Sequence, residues 1–320
     1  MTVKTLFKAV GGIVLLLAVL VTGFIAFNWA PDRPVAELAS RWAPAPSVFV
    51  DAAGMQVHLR DEGPRDDALP IVLLHGTSSS LHTWEGWAHA LKDGKRVIRF
   101  DMPGFGLTGP NPTGTYTIES YAAFTVAMLD KLGVKRCVLA GNSFGGYVSW
   151  LTALFHPERV DKLILVDAGG YVYQSQNVPI GFRLARIPVL NQVFRNILPR
   201  TVIADSVRSV YGDPSRIGPE VIDRYYDLTT REGNRHALVE RFRQGTPGAY
   251  SERINELKLP TLILWGAKDQ LIPPSVGERF HNDIAGSELV TLDGLGHVPQ
   301  EEDPVRTVAE AKRFLGLNAP

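Results

Sequence analysis

Apolar residues occur along most of the chain in short, unbroken runs, and most runs are followed by a segment of helix length. The runs that predict buried strands are Ile71–Leu74, Arg96–Phe100, Cys137–Ala140, Leu163–Val166, Thr261–Leu264 and Glu288–Leu292. The helix-like segments are Trp84–Leu91, Ile118–Leu132, Phe144–Phe155, Ser275–His281 and Pro304–Leu315. Unalternated apolar strands separated by helices are typical of a mostly parallel sheet with helices on both faces. We therefore expect an α/β fold that binds ligands at the carboxyl ends of its strands.

Two segments depart from this alternation. Before the first buried run, Val48–Val50 and Met55–Leu59 alternate around Ala53-Gly54, which predicts a β-hairpin. From residue 169 to residue 256 the apolar spacing is helical, without a run of the buried-strand type. We expect an inserted helical cap, or lid, at 169–256 above the strand ends. The predicted core then comprises residues 48–168 and 257–320.

The beginning of the chain is strongly apolar. No charged residue occurs between Lys8 and Asn28, and the 19 residues Ala9–Phe27 are nearly all apolar. As a helix they would extend about 28 Å at about 1.5 Å per residue, close to the ~30 Å hydrocarbon core of a bilayer. We expect a cytoplasmic end at 1–8 and a transmembrane signal-anchor helix at 9–28. A cleaved secretion signal is the alternative, although its apolar core usually spans only about 7–15 residues.

The flanking charges predict how this helix is oriented. Lys4 and Lys8 are the only charged residues before it, and the positive-inside rule keeps such an end in the cytoplasm. Arginine outnumbers lysine 23 to 10, a bias that suggests a GC-rich bacterium. We therefore expect the bacterial inner membrane, with the catalytic domain in the periplasm. Four prolines within 29–47 predict a semi-rigid tether between the anchor and the globular part.

Composition excludes several classes of function. Basic and acidic residues both number 33, and without a basic cluster we expect no nucleic-acid partner. The single cysteine, Cys137, excludes an internal disulfide and a cysteine-rich metal site. It lies in an apolar run, which predicts a buried and inert thiol.

The clearest chemical motif follows the predicted strand Cys137–Ala140. It reads Gly141-Asn142-Ser143-Phe144-Gly145-Gly146, which is a G-x-S-x-G elbow between a strand and a helix. Gly141 and Gly145 leave room for a sharp turn that would lift the Ser143 hydroxyl off the sheet. We predict that Ser143 is a nucleophile, since the strand-to-helix context is the one that this motif requires.

A serine nucleophile needs a base, and the base needs a carboxylate. Of the eight histidines, His297 lies in a glycine-containing loop after the last predicted strand, so we select it as the base. Asp269, in the loop after Thr261–Leu264, is the preferred carboxylate. Asp167, one strand earlier, remains an alternative because it fits the same order along the chain.

The loop after Ile71–Leu74 is expected to complete the site. Gly76 permits a close approach of the backbone, and the N–H groups of Thr77 and Phe144 are the predicted oxyanion donors. We assign His75 to shaping this loop by hydrogen bonding. Asp101 is expected to shape a turn, because no second carboxylate or histidine lies at ligand spacing.

With these residues in view, the chain resembles the α/β-hydrolase family from about Val48 to Leu317. The matching segments are His75-Gly76, Asp101–Gly106, Gly141–Gly146, Pro260–Gly266 with Asp269, and Gly296-His297 followed by Glu302 and Pro304. It is similar in particular to bacterial lipolytic family V esterases and to membrane-anchored monoacylglycerol lipase-like hydrolases. The resemblance implies an α/β-hydrolase fold and a serine triad. It does not settle the substrate, because the family also includes carbon–carbon bond hydrolases, peptidases and cofactor-free peroxidases.

The preferred hypothesis is a membrane-anchored serine hydrolase that cleaves carboxylic esters, including lipid esters, through an acyl-enzyme. Carbon–carbon or amide cleavage by the same residues is the first alternative, although carbon–carbon hydrolases of aromatic degradation typically carry a tryptophan where this chain has Val298. A non-catalytic binding module is the second alternative. No cofactor or metal is expected. Apolar lid residues are interpreted as acyl-pocket lining, lid core or membrane contacts, namely Ile180, Phe182, Leu184, Ile187, Val189, Leu190 and Phe194.

Overall fold

The computed structural model describes residues 3–317, without the side chains of Leu6, Val189 and Asn191. Its strands are β1 (Val48–Ala52), β2 (Met55–Glu62), β3 (Ile71–Leu74), β4 (Val97–Phe100), β5 (Cys137–Asn142), β6 (Val160–Val166), β7 (Thr261–Gly266) and β8 (Glu288–Leu292). They form one eight-stranded sheet in the order β1-β2-β4-β3-β5-β6-β7-β8. β2 pairs antiparallel with β1 and with β4, and the other neighbours are parallel. The predicted fold class, a mostly parallel α/β sheet, is confirmed.

Helices lie before, between and after these strands. They are α1 (Val3–Phe27), α2 (Val35–Trp42), α3 (Glu85–Leu91), α4 (Ile118–Lys131), α5 (Phe144–Phe155), α6 (Ile180–Ala185), α7 (Pro188–Val193), α8 (Arg200–Arg208), α9 (Pro219–Thr229), α10 (Asn234–Gln244), α11 (Pro274–Asp283), α12 (Pro299–Glu302) and α13 (Pro304–Leu315). Short 3-10 helices occur at Leu81–Trp84, Pro214–Arg216 and Ser251–Glu256. Helices α6 to α10 all lie between β6 and β7, in the segment where the helical cap is expected.

Both faces of the central strands β3 to β7 are buried, which explains why these strands are apolar without alternation. The edge strands β1 and β8 are more exposed. On one face, β3 residues Val72 and Leu74 pack in a cluster with α4, α5 and α11. On the other face, Ile71 and Leu73 pack with α3 and α13, where the indoles of Trp84 and Trp87 lie 5.0 Å apart between ring centroids. Successive residues of one strand therefore support opposite layers of helices.

The register of the central strands brings the candidate residues to one edge. Leu74 of β3 is opposite Gly141 of β5, and Asn142 is opposite Val166 of β6. Val166 is in turn opposite Leu264 of β7. Because these strands are parallel, the loops that follow them meet at the carboxyl edge of the sheet.

The first helix begins earlier than the sequence predicts. α1 runs from Val3, so that most of the predicted cytoplasmic end at 1–8 is helical, because lysine favours helices and neither Lys4 nor Lys8 interrupts the turn. Met1 and Thr2 lie outside the described residues. The described side chains of α1 are exposed, and the helix is long and apolar enough to cross a membrane. A signal sequence near the N-terminus has the same properties.

Residues 29–47 do not form the expected semi-rigid tether. They contain helix α2, which buries Leu38 and Trp42 in a cluster with Leu107 and Leu228 of the globular part. The Trp42 indole Nε1 donates to Asp227 at 2.9 Å. One of the four prolines marks the start of the helix: Pro34 directly precedes α2, where its missing N–H group removes no hydrogen bond of the helix.

Ion pairs hold the same segment against the cap. Arg33 and Arg41 contact Asp227 and Asp223 of α9 at 2.8 and 2.7 Å, and Asp32 contacts Arg235 of α10 at 2.5 Å. These partners are 182 to 203 residues apart in the sequence, so no local pattern indicates them. The tether prediction is therefore wrong, because long-range apolar and ionic contacts dock the segment.

Candidate active site

Ser143 lies in a strained turn between β5 and α5. Its backbone has φ of 56° and ψ of −115°, a combination that non-glycine residues rarely adopt. A Cβ atom at Gly141 would lie 2.2 Å from the Gly145 carbonyl oxygen, and one at Gly145 would lie 2.3 Å from the Leu74 carbonyl oxygen. Both positions therefore need glycine, as the G-x-S-x-G spacing predicts, and the turn presents Ser143 at the sheet edge.

The structure brings Ser143, His297 and Asp269 together. The His297 Nε2 atom lies 2.8 Å from the Ser143 hydroxyl oxygen, and its Nδ1 atom lies 2.7 Å from Asp269 Oδ2. The other Asp269 oxygen accepts the backbone N–H groups of Leu271 and Ile272 at 2.8 and 3.0 Å. Because Asp269 accepts the Nδ1 proton, the Nε2 lone pair faces the serine, which is the arrangement that general-base catalysis requires.

Three contacts hold the main chain at His297. The Asn142 side-chain amide donates to the His297 carbonyl at 2.9 Å, and the His297 N–H donates to the Val210 carbonyl of the cap at 2.8 Å. The Gly296 N–H donates to Glu302 at 2.9 Å, and the same carboxylate accepts two N–H groups of the cap, from Gly212 and Asp213. In the sequence, Glu302 stands five positions after the histidine and belongs to the segments that carry the family resemblance, but nothing there indicates this role.

Asp167, the alternative carboxylate, is also in this cluster. It is fully buried with φ of 45°, and its Oδ1 atom accepts the Gly266 N–H at 2.9 Å, while Oδ2 has no hydrogen-bond partner. One carboxylate oxygen of Asp167, one of Asp269 and one ring nitrogen of His297 all lie within 4.8 Å of one another. Burial, followed by the charge of Asp269, raises the pKa of Asp167 well above its ordinary value. Asp269 makes the hydrogen bond to His297, and the raised pKa of Asp167 favours the protonated form of this neighbouring carboxyl group.

The predicted oxyanion donors lie on either side of Ser143. The backbone at Gly76 passes so close that a Cβ atom there would be 3.1 Å from the Ser143 Cβ atom. Among residues 3–317, neither the Thr77 N–H nor the Phe144 N–H donates to a protein acceptor. Both groups are therefore free to bind a developing negative charge.

His75 links two loops. It is fully buried, its Nδ1 atom is 2.8 Å from the Gly76 carbonyl, and its Nε2 atom accepts the Met102 N–H at 3.0 Å. Burial lowers the pKa of His75, so that the ring is neutral and donates from Nδ1. With both nitrogens occupied by the backbone, this histidine holds the Gly76–Thr77 turn in place.

An apolar cavity of about 130 Å³ opens above Ser143 and His297. Its walls come mainly from the cap, including Phe182 and Leu184 of α6, Phe194, and Val207 of α8. Thus three of the seven apolar lid residues line the cavity, whereas Ile180 and Ile187 are exposed and Leu190 is half-buried. The Val189 side chain lies outside the described residues.

Among residues 3–317, only one arginine contributes to the cavity wall, and it already has partners. Arg235 donates to Asp32 at 2.5 Å and to the Phe194 carbonyl at 3.1 Å. The lining residues include no lysine. A negatively charged substrate would therefore find no unpaired arginine or lysine on this wall.

A second histidine, His58 of β2, which the sequence does not single out as a base, has a similar set of partners. The His58 Nδ1 atom lies 2.7 Å from Asp101 Oδ2, and its Nε2 atom lies 2.9 Å from the Ser47 hydroxyl oxygen. Asp101 also accepts the N–H groups of Leu81 and Leu107, at 2.7 and 2.8 Å, as a turn-shaping residue does. Although burial opposes ionisation, His58 holds the pKa of Asp101 far below its ordinary value.

Comparison with known proteins identifies the family. Residues 70–304 match the model of the alpha/beta hydrolase fold, which covers more than half of the chain. The chain belongs to the α/β-hydrolase family. This α/β hydrolase is 31% identical over 267 residues to the 2-hydroxy-6-oxo-2,4-heptadienoate hydrolase of Pseudomonas putida, a match that covers 79% of this chain and 90% of the relative.

Solved structures give the same fold. The meta-cleavage product hydrolase CumD of Pseudomonas fluorescens matches with a TM-score of 0.71 and 25% identity, over 85% of this α/β hydrolase and 97% of CumD. A bacterial membrane phospholipase A matches with a TM-score of 0.70 and 24% identity, over 98% of this chain and 99% of that one. At that identity the second likeness concerns the fold alone, but it extends to the segment before β1. Hydrolase activity follows from the family.

Proposed function

We propose that this α/β hydrolase cleaves neutral carboxylic esters with apolar acyl groups, through an acyl-enzyme on Ser143. One observation carries the proposal: the hydrogen-bonded set Ser143–His297–Asp269 opens into an apolar cavity whose one arginine is already paired. The geometry supports a nucleophile with its base. The character of the cavity wall supports an uncharged, apolar substrate.

The reaction follows from these contacts. The Ser143 oxygen attacks the ester carbonyl carbon while His297 Nε2 takes the hydroxyl proton, and Asp269 stabilises the resulting imidazolium. The Thr77 and Phe144 N–H groups bind the oxyanion. His297 then gives the proton to the departing alcohol oxygen and leaves the acyl group on Ser143. A water molecule that loses its proton to His297 attacks the acyl-enzyme, and the acid leaves as the serine regains its proton.

Cleavage of a carbon–carbon bond is the second candidate. It is favoured by the 31% identity to a heptadienoate hydrolase, which covers 90% of that relative. A dienoate carries a carboxylate, however, and burying an unpaired carboxylate in an apolar cavity costs several kcal/mol. The positive charge of Arg235 is already balanced by Asp32. The wall around Ser143 therefore favours the ester.

We also propose that α1 anchors the enzyme in a membrane, with Lys4 and Lys8 on the cytoplasmic side and residues 48–317 in the periplasm. The proposal is supported by the length and exposure of α1 and by the charges at its start. In this arrangement the cap at 169–256 forms a lid over the carboxyl ends of the strands. We propose no nucleic-acid partner for the enzyme. Residues 29–47, which contain α2, join the anchor to this lid.

A substrate comparison tests the function. The full chain in detergent micelles is assayed with p-nitrophenyl esters of increasing acyl length and with a 2-hydroxy-6-oxo-dienoate, each with the Ser143→Ala variant as control. We expect Ser143-dependent ester hydrolysis that rises with acyl length until the cavity is filled. Faster turnover of the dienoate than of every ester would replace the ester proposal with carbon–carbon cleavage.

A further inference from the structure

In one stretch of the cap, all the charged residues are basic. Residues 169–204 contain four arginines and neither aspartate nor glutamate, although the chain as a whole is balanced. Arg183 is exposed, and its side chain makes no ion pair or hydrogen bond within residues 3–317. Arg195 is also exposed, and its guanidinium donates to His236 at 3.3 Å. Positive charge at this surface is therefore available to an anionic partner.

Apolar side chains lie among these arginines. Ile180, Ile187 and Val193 are 41, 45 and 44% exposed, although each is a large aliphatic residue. They belong to α6, α7 and the short connection between these helices. Other residues of α6, Phe182 and Leu184, line the cavity instead. α6 therefore separates the substrate cavity from an exposed surface that is both apolar and cationic.

This surface lies directly beside the end of α1. The Leu198 N–H donates to the Asn28 carbonyl at 3.0 Å, and the Ala30 N–H donates to the Asn196 carbonyl at 2.8 Å. The Ile197 N–H donates to the Val193 carbonyl at 3.2 Å. The last residue of α7 is therefore one helical turn from Asn196 and Leu198, which contact the residues after α1. A membrane that surrounds α1 would begin close to α7.

We propose that the cap docks on the bilayer in which α1 is anchored, through a bilayer-docking face formed by Ile180, Arg183, Ile187, Val193 and Arg195. This inference rests on the proposed anchoring of α1. The isoleucines and the valine lie below the headgroups, and the two arginines contact the phosphates of anionic phospholipids. Amphipathic surfaces of this composition bind at the membrane interface by apolar burial and electrostatic attraction.

A cleft beside this face is lined by both arginine and aspartate side chains. It has a volume of about 350 Å³ and is lined by Asp32, Arg195, Asn196, Arg235 and His236. Asp32 neutralises Arg235, which leaves Arg195 as the unneutralised cation, with His236 next to it. Docking would place α6, and therefore the apolar cavity behind it, against the lipid that supplies ester substrates.

A site-specific fluorescent probe tests the docking. The full chain carries the environment-sensitive dye NBD at Ile187→Cys and is reconstituted in bilayers of phosphatidylcholine and phosphatidylglycerol that contain nitroxide-labelled lipid. Val305→Cys is the matched control, since Val305 is an exposed apolar residue (78%) on α13. Unsubstituted protein controls for labelling of Cys137, which is fully buried.

We expect emission from position 187 at shorter wavelength, quenched by the nitroxide lipid, and unquenched emission from position 305. Replacing Arg183 and Arg195 by glutamine should lower the ratio of docked to undocked protein about fivefold for each arginine, as measured by the quenched fraction. The Arg136→Gln variant, which changes an exposed arginine outside the cap, should leave the ratio unchanged.

Two results would overturn the docking. In the first, positions 187 and 305 show the same water-exposed emission. In the second, position 187 is shielded from water but unquenched, which would mean that a protein or a second copy covers the face. Carbonate extraction of the same vesicles reports the anchoring of α1 separately. Ser143-dependent hydrolysis of a soluble ester reports the proposed function, so that each failure is recognised by its own assay.

Discussion

Two histidines of this protein have almost the same partners and different surroundings. His297 lies 2.7 Å from Asp269 and 2.8 Å from Ser143, and His58 lies 2.7 Å from Asp101 and 2.9 Å from Ser47. Judged by these distances alone, each would be a serine with its base and its orienting carboxylate.

The difference lies around the two serines. Ser143 lines the cavity, and two free N–H groups lie beside it. The Ser47 oxygen does not line the cavity and also accepts the Arg60 Nε–H at 2.8 Å. Hydrogen bonds on both sides make Ser47 a link between the strand β2 and the segment before β1. A Ser–His–Asp set therefore indicates catalysis only where the serine faces open space and oxyanion donors.

The largest expected difference is between the two serines themselves. Ser143→Ala should lower kcat for a p-nitrophenyl ester by about 10⁶-fold, the size of effect seen when a serine nucleophile is removed. Ser47→Ala should leave kcat within about twofold and cost about 1 kcal/mol of unfolding free energy, because it removes hydrogen bonds and no chemistry. Steady-state kinetics and urea unfolding of both variants measure these effects. A large loss of kcat in a folded Ser47→Ala protein would contradict the assignment.

The two carboxylates should separate catalysis from stability. Asp269→Asn should lower kcat by about 10⁴-fold, because the amide no longer fixes the histidine tautomer. Asp101→Asn should cost about 3 kcal/mol of unfolding free energy, because the new amide N–H₂ group cannot accept the buried donors that Asp101 accepts. The comparison fails if Asp101→Asn unfolds at the same urea concentration as the parent chain.

A smaller effect is expected from crowding the oxyanion side of Ser143. In Gly76→Ala the new Cβ atom would lie 3.0 Å from Asn142 Oδ1 and 3.1 Å from Ser143 Cβ, so that the loop must move by a few tenths of an ångström. We expect kcat to fall about tenfold as the Thr77 N–H leaves its position. Gly94→Ala is the control, since a Cβ atom there meets nothing within 4 Å. Unchanged kcat in Gly76→Ala would remove this loop from the oxyanion site.

The smallest effect concerns Asp167, the buried carboxyl group beside Asp269. The pKa of Asp167 is raised above its ordinary value of 3.8, so the native state keeps a proton that the unfolded chain releases above that pH. The free energy of unfolding therefore falls as pH rises through this window, by at most about 1.4 kcal/mol per pH unit. Asp167→Asn mimics the protonated acid and should flatten this fall. Urea unfolding from pH 4 to pH 9 checks it, and an unchanged pH slope would contradict the shift.

Sequence patterns predict the strands and the serine elbow, which are formed by residues close together in the chain. The apolar runs predict the positions of strands β3 to β8, although β8 at the sheet edge is more exposed than its run indicates. The glycines around Ser143 predict the elbow because the turn itself requires them. His297 and Asp269 were selected from their places after strands, which the parallel topology converts into proximity.

The contacts that sequence reasoning missed join distant segments. Ser47, His58 and Asp101 meet only after β2 pairs with β4, and Asp101 is 43 residues from His58. The docking of α2 likewise depends on Asp223 and Asp227 of α9. Because these partners are distant in the sequence, the prolines of residues 29–47 by themselves predict a tether. Asp167 follows β6 and Asp269 follows the neighbouring strand β7, and only the side-chain geometry shows which of them reaches His297.

The most direct test of the account uses a fluorophosphonate, which reacts with activated serines. The full chain in detergent micelles is treated with the reagent, digested, and mapped by mass spectrometry, with Ser143→Ala as control. The account predicts an adduct on Ser143, none on Ser47, and none in the control. An adduct on Ser47, or an unlabelled Ser143 in folded protein that hydrolyses esters, would contradict it.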